Sequence, residues 1–175
     1  MLWNIDQAHS QIQFSTKHMG ISTVRGTFGS FDGTIDTEDG QVSGVTAEID
    51  VASLDTGNGQ RDGHLKGADF FDVENFPKAH FALTSFVRNG DDVTAEGNLT
   101  LRGVTAPVTL TGEIGGPATD PWGNEKVSAS LTGKISRKAW GLVWNVALEA
   151  GGVLVSDEVK LSVEVQAVAA VAAGV

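Results

Sequence analysis

Apolar and polar side chains alternate with a period of two along most of the chain, the pattern of strands with one buried face. The pattern is clearest over 159–166, where Val159, Leu161, Val163 and Val165 alternate with Lys160, Ser162, Glu164 and Gln166. Over 10–18 it sets Ile12, Phe14, Thr16 and His18 against Gln11, Gln13, Ser15 and Lys17. Residues 22–36 alternate with a slip, because Val24 and Phe28 fall on even positions and Phe31, Gly33 and Ile35 on odd ones. One extra residue near Gly29, as in a β-bulge, restores the inward face and predicts a single long, bent strand. A third strand covers Val45–Val51, a fourth begins at Phe81 and Leu83, and a fifth carries Val93, Ala95, Gly97, Leu99 and Leu101. Val108 and Leu110 continue as a sixth, with Pro107 near its start, where a missing donor is tolerated. A seventh runs over about 126–137, and 159–166 is the eighth.

Thr37–Gly40 and Asn89–Asp92 read as turns, Gly115–Asn124 as a Gly/Pro-rich loop, and the tail AVAAVAAGV as a segment that frays or covers an edge. Eight antiparallel strands with short connections predict an all-β fold, an eight-stranded antiparallel barrel in preference to a sandwich, in one domain over 1–175. Small residues at inward phase (Gly26, Gly33, Ala47, Ala95, Gly97, Ala129, Gly133) favour a barrel with space inside. Thr56–Asp72 breaks the rule: TGNGQRDGHLKGADFFD has no alternation and predicts a short helical or loop insertion after the third strand.

The totals narrow the function classes. With 175 residues the chain is long enough for a full core, and 22 Gly against 4 Pro suits turns and bent strands. A formal net charge of −10 with 12 Lys+Arg disfavours nucleic acid and a polybasic dock on anionic lipid. No Cys leaves no disulfide or thiolate. No run of about 18 apolar residues predicts a spanning helix, and stable membrane insertion is not expected. MLWNIDQAHS has neither a basic n-region nor an apolar h-region, so a cytoplasmic protein is expected, or a periplasmic one if a leader has been removed.

Chemistry is sparse. The four His (His9, His18, His64, His80) have no metal-ligand spacing, so no metal is expected. There is no GxSxG, P-loop or GxGxxG, and His9 and Ser10 are neighbours on a strand, pointing to opposite faces. Neither an enzyme nor a cofactor is expected. His18 sits at inward phase and His80 opposite to Phe81. Arg61 and Asp62 read either as a buried ion pair fixing the insertion, with His64 on a backbone carbonyl, or as contacts to a polar ligand. Asp69 and Asp72 are alternative partners for Arg61. The aromatic side chains could equally be core.

Several stretches in order (WNIDQAHSQIQFSTKHMGISTVRGTFGSFDG, SLDTGNGQRDGHLKGADFFDVENFPKAHF, GNLTLRGVTAPVTL, ISRKAWGL and SDEVKLSVEVQA) resemble the YceI-like polyisoprenoid-binding family nearly end to end. The resemblance implies a lipocalin-like eight-stranded barrel whose members bind extended isoprenoid or similar lipids, such as polyprenyl pyrophosphates and quinone tails, with no known catalytic step. It also makes a homodimer plausible. Family members commonly carry larger residues where Gly63 and Gly67 stand here, and the two glycines are expected to loosen this insertion at the mouth of the barrel.

The expected function is therefore transport, storage or sequestration of a long-chain lipid. Its apolar tail is assigned to Phe14, Val24, Phe28, Ile49, Phe81 and Leu99, together with Phe70, Phe71, Leu131, Ile135, Trp140 and Trp144. Its polar head is assigned to His18, Arg61 and His64. The rival readings are a stress-linked interaction module with a filled core and a lipid-modifying enzyme using the same barrel.

Overall fold

The computed structural model describes residues 1–170. Eight long strands form it, three of them interrupted. β1 (Leu2–Ile5) and β2 (Gln11–His18) are two parts of the first, separated by a 3-10 turn at Gln7–His9. β3 (Ser22–Phe28) and β4 (Phe31–Glu38) make the second. β5 (Gln41–Asp50) and β6 (Leu54–Asp55) make the third, with a 3-10 turn at Val51–Ser53 between them. A helix, α1 (Gly59–Lys66), follows. The remaining five are β7 (Lys78–Asn89), β8 (Asp92–Leu101), β9 (Val104–Thr119), β10 (Glu125–Ser136) and β11 (Val155–Ala169).

Each long strand pairs antiparallel with the next in sequence, and the last returns to the first. β11 pairs with β2 through Leu161↔Phe14 and Val163↔Ile12, and with β1 through Ala167↔Ile5 and Ala169↔Trp3. The sheet therefore closes as a barrel through β1, β2 and β11, leaving β6 and the part of β3 before Thr27 paired on one side. Closure depends on the start of the small-residue tail, since Ala167 is fully buried at the seam. Residues 171–175 of that predicted tail lie outside the described residues.

The interruptions of the first three strands fall at one level. Gly29 and Ser30 separate β3 from β4; the Gln7 side chain donates to the Gly29 carbonyl, and the Gly29 amide donates to Ser53. The predicted single-residue bulge is thus a two-residue break. Phe28 and Phe31 both face inward, and the strand changes partner from β2 and β6 to β1 and β5.

Other boundaries differ from the sequence reading. Leu2–Ile5 is a strand that the alternation did not signal, because only Trp3 is buried on it. The first half of Gly115–Asn124 is strand and only the second half is a turn: β9 continues to Thr119 against β10, and Pro117 sits at the register shift opposite Lys126–Ser128, where no ladder amide is required. β11 begins at Val155, and the clear alternation starts only beyond a shift in its register with β2 between Val155 and Val159.

Candidate functional site

Inward residues of the strands surround a cavity of about 370 Å³ at one end of the barrel. β2 contributes Ile12, Phe14, Thr16 and His18, and β3 contributes Val24 and Phe28. The opposite wall carries Leu99 and Leu101 from β8, Val108 and Leu110 from β9, and Leu131 and Ile135 from β10. Ile49, Phe81, Val159 and Leu161 complete the sides. Lys17 and His64 border the cavity and are solvent-exposed, so it opens where they stand.

Two segments that are not strands form the mouth. In the first, Asn58 caps α1 by accepting from the Arg61 amide. Both charged residues of the Arg61-Asp62 pair bind Thr56. The Arg61 guanidinium donates to the Thr56 hydroxyl and carbonyl, each at 2.8 Å, and the Asp62 carboxylate accepts the Thr56 amide at 3.0 Å and its hydroxyl. An Arg61–Asp62 ion pair, one of the two readings of this stretch, does not form, because one Thr offers each group a partner. Nor does Arg61 pair with Asp69 or Asp72. Asp69 takes His64 at 2.9 Å and Asp72 takes the Asn75 amide.

His64 accordingly engages a carboxylate instead of the backbone carbonyl expected for it. Its ring stands edge-on to Trp144 (4.7 Å between centroids) and Phe70 (5.2 Å), so α1 is tied across the mouth by aromatic contacts. Phe28 meets Phe14 at 5.4 Å and Phe71 at 6.1 Å, which carries the aromatic layer inward.

The second mouth segment is held by Arg137, which is 4 % exposed. It starts a 3-10 turn at Arg137–Trp140 and donates to the carbonyls of Leu142 (2.6 Å), Trp144 (2.9 Å), Val155 and Ser156. Burial pushes its pKa below the ordinary arginine value, and Asp157 at 3.8 Å acts in the opposite direction. The buried charge is balanced by carbonyl dipoles more than by a carboxylate. Trp140, 2 % exposed, donates its indole N–H to the Leu99 carbonyl at 2.7 Å and packs with Val108, Leu110 and Leu142.

Every residue assigned from the sequence to a tail or head contact borders this cavity. They are not equivalent, however. Trp140 and Phe70 are almost wholly covered by protein, whereas Phe14, Val24, Phe28, Ile49, Phe71, Phe81, Leu99, Leu131, Ile135 and Trp144 keep accessible surface towards the interior. Lys17 and Arg137 also border the cavity, without having been singled out. Lys17 lies at an outward phase and Arg137 just past a strand end, so alternation gave no sign of either. His80 is outside, 3.6 Å from Glu48. Among the described residues no three His, Asp or Glu side chains gather in a way that could hold a metal ion, and no helix is long and apolar enough to cross a membrane.

Two inward glycines make room for side chains of the barrel itself. A Cβ on Gly26 would lie 2.3 Å from the Phe14 ring, and one on Gly97 would lie 2.4 Å from Phe81. The space expected over these positions is filled by aromatic rings that cover bare backbone, and the cavity lies beyond them. The two departures at the mouth behave otherwise. A Cβ at Gly63 meets nothing within 4 Å, and one at Gly67 approaches the His64 carbonyl at 3.4 Å.

A closed eight-stranded antiparallel barrel with an apolar cavity beneath one mouth is a lipocalin-like container. The chain belongs to the YceI-like family, whose domain it matches over residues 3–167. It is 39% identical over 162 residues to a UPF0312 protein of Enterobacter sp. (strain 638), covering 91% of this chain and 81% of that one. The crystal structure of the Campylobacter jejuni YCEI protein superposes with a TM-score of 0.75 at 30% identity, over 89% of this chain and 90% of that one. A domain from Saccharophagus degradans, described as polyisoprenoid binding, shares the fold with a TM-score of 0.71 at 16% identity, over 96% of this chain and 98% of the other.

Proposed function

We propose that the barrel holds the apolar chain of an amphiphilic lipid, an isoprenoid or a close analogue, and keeps its polar head at the mouth. The observation that carries this reading is the cavity itself. Its walls are aliphatic and aromatic, while its cationic and imidazole groups (Lys17, His18, Arg61, His64, Arg137) are confined to the end formed by α1 and the Arg137–Trp144 segment. Removing an apolar chain from water supplies about 25 cal/mol per Å² of buried surface, against which the ordering cost of association must be set. A volume of about 370 Å³ is at the small end of the roughly 300–1,000 Å³ typical of ligand sites, so a long chain extends out through the mouth. The description of the Saccharophagus domain as polyisoprenoid binding supports the same chemistry.

Arg61 is the head-group residue of choice, because its guanidinium is oriented by Thr56 through two of its N–H groups and has further N–H groups to donate. Transport, storage and sequestration all follow from reversible binding, and none needs a chemical step. The barrel has an interior cavity, and a filled-core interaction module would have none. Native mass spectrometry of the purified protein, followed by organic extraction, tests the proposal. A co-purifying isoprenoid lipid at about one per chain is expected. A bare protein mass that stays bare after incubation with polyprenyl lipid overturns it.

A further inference from the structure

Part of the mouth is flanked by apolar side chains that do not line the cavity. Among the described residues ten large hydrophobic side chains are exposed, and five of them (Met19, Ile21, Val143, Val146, Val153) belong to just two segments. One is the turn between β2 and β3, immediately after His18. The other is the stretch between Gly141 and Val155. Ile21 is 82 % exposed and Val143 60 %, values that a side chain packed on its own protein does not reach.

These two segments form one surface. The Met19 amide donates to the Leu154 carbonyl at 2.8 Å, and Val155 is the register partner of His18. Val146 and Val153 lie on a small hairpin closed by the Ala147↔Val153 bridge and by the Leu154 amide on the Val146 carbonyl at 2.9 Å. Asn145 fixes its base, accepting from the Val155 amide and donating to the Val155 carbonyl. Val143 lies between Leu142 and Trp144, both of which border the cavity. The apolar collar is therefore rigidly attached to the rim through which a ligand would pass.

We propose that this collar is a docking surface for a lipid bilayer, into which Met19, Ile21, Val143, Val146 and Val153 insert so that the mouth opens onto the membrane. The inference rests on the lipid-binding reading and adds the surface from which the ligand is taken. A bilayer is favoured over a protein partner because the collar is continuous with the cavity rim, and an apolar chain leaving a membrane there never has to cross water. Insertion is apolar in character, because the five inserting side chains are uncharged, the one charge on the two segments is the acidic Glu149, and the chain carries 22 Asp+Glu against 12 Lys+Arg. The other end of the barrel offers a contrast. There the β9–β10 turn presents Trp122, 82 % exposed, on a loop fixed by Asp120.

The test is flotation of the full chain with vesicles of phosphatidylcholine alone, at low and high salt, alongside calorimetric uptake of geraniol, a short isoprenol soluble in water. Wild type is expected to float with little salt dependence. Ile21→Asp combined with Val143→Asp should weaken flotation by at least about tenfold while leaving geraniol uptake unchanged. Trp122→Asp should alter neither. Failure of wild type to float overturns the proposal, as does flotation that requires anionic lipid and disappears with salt. Loss of flotation in Trp122→Asp in place of the double variant also overturns it. So does a wild-type dimer that ignores vesicles and that the double variant converts to monomer. Geraniol uptake absent from every protein would instead count against lipid binding, and flotation would still decide the docking surface.

Discussion

The two ends of the barrel share one alternation of side chains and use it differently. At the end away from the mouth, Trp3, Val93, Ala95 and Ala167 are buried and do not border the cavity. Trp3 also donates its indole N–H to the Thr37 hydroxyl at 3.1 Å, so even its polar atom is satisfied. At the mouth end, equally large side chains at the same inward phase (Phe14, Val24, Leu99, Ile135) stay accessible, because the cavity begins where they end. The filled end secures the closure of β1 on β11. The hollow end is kept open by segments outside the strand pattern, α1 and the stretch anchored by Arg137. The hollow end carries its own packing around the cavity, where Trp140 is buried with Val108, Leu110 and Leu142.

Substitutions can break that contrast in graded ways. The largest effect is expected from Trp3→Ala, which empties the filled end and should cost about 3–5 kcal/mol in urea unfolding. Arg137→Met should follow, at about 3 kcal/mol, because it leaves the carbonyls of Leu142 and Trp144 without their donor. A loss well under 1 kcal/mol would show that the mouth segment is held by its aromatic contacts instead.

Enlargement separates the ends most directly. Ala95→Leu overfills a packed layer and should cost about 1–3 kcal/mol, whereas Leu99→Trp projects into free volume and should cost less than about 1.5 kcal/mol. Only Leu99→Trp should weaken binding of a fluorescent isoprenoid, by about tenfold or more, since it occupies the space assigned to the chain. Equal stability losses at both positions would mean that the hollow end is as tightly packed as the filled one.

Smaller effects probe the rims. Gly63→Ala in α1 meets open space, should stabilise the fold by about 0.5–1 kcal/mol in the same assay, and should leave ligand uptake intact. Smallest is the acid response of Asp6, beside the break between β1 and β2. A hydrogen bond from His9 holds its carboxyl below the ordinary 3.8, despite some burial. A depressed carboxyl contributes stability above its unfolded pKa and loses it as pH falls through the folded value. Asp6→Asn should therefore lower the melting temperature slightly at neutral pH and converge with wild type in strong acid. A constant offset across the whole range would assign the effect to the cap on the Ala8 amide alone.

Strand number, inward faces and the position of the insertion were legible because each follows from nearest neighbours in sequence. Val159 to Val165 must face one way on any strand. Cavity residues such as Phe14, Val24 and Leu131 could be named for the same reason. The partners in the insertion were not legible. Arg61 and Asp62 look like a pair in sequence, but Thr56 lies within reach of both once α1 is capped by Asn58. Arg137 gave no sign either, since four backbone carbonyls brought together by folding are its partners, and backbone groups leave no mark in the pattern of side chains.

The sequence by itself determined the all-β class, the inward set of apolar side chains, the absence of thiol chemistry and the acidic balance. All of these depend on composition and on a period of two. Tertiary structure decided which inward residues fill the interior and which leave it open. The same structure closed the last strand on the first through Ala167 and Ala169, and turned bare glycine backbone into seats for Phe14 and Phe81. Those outcomes depend on register between strands distant in sequence and on the volume left after all of them meet, which no local pattern encodes.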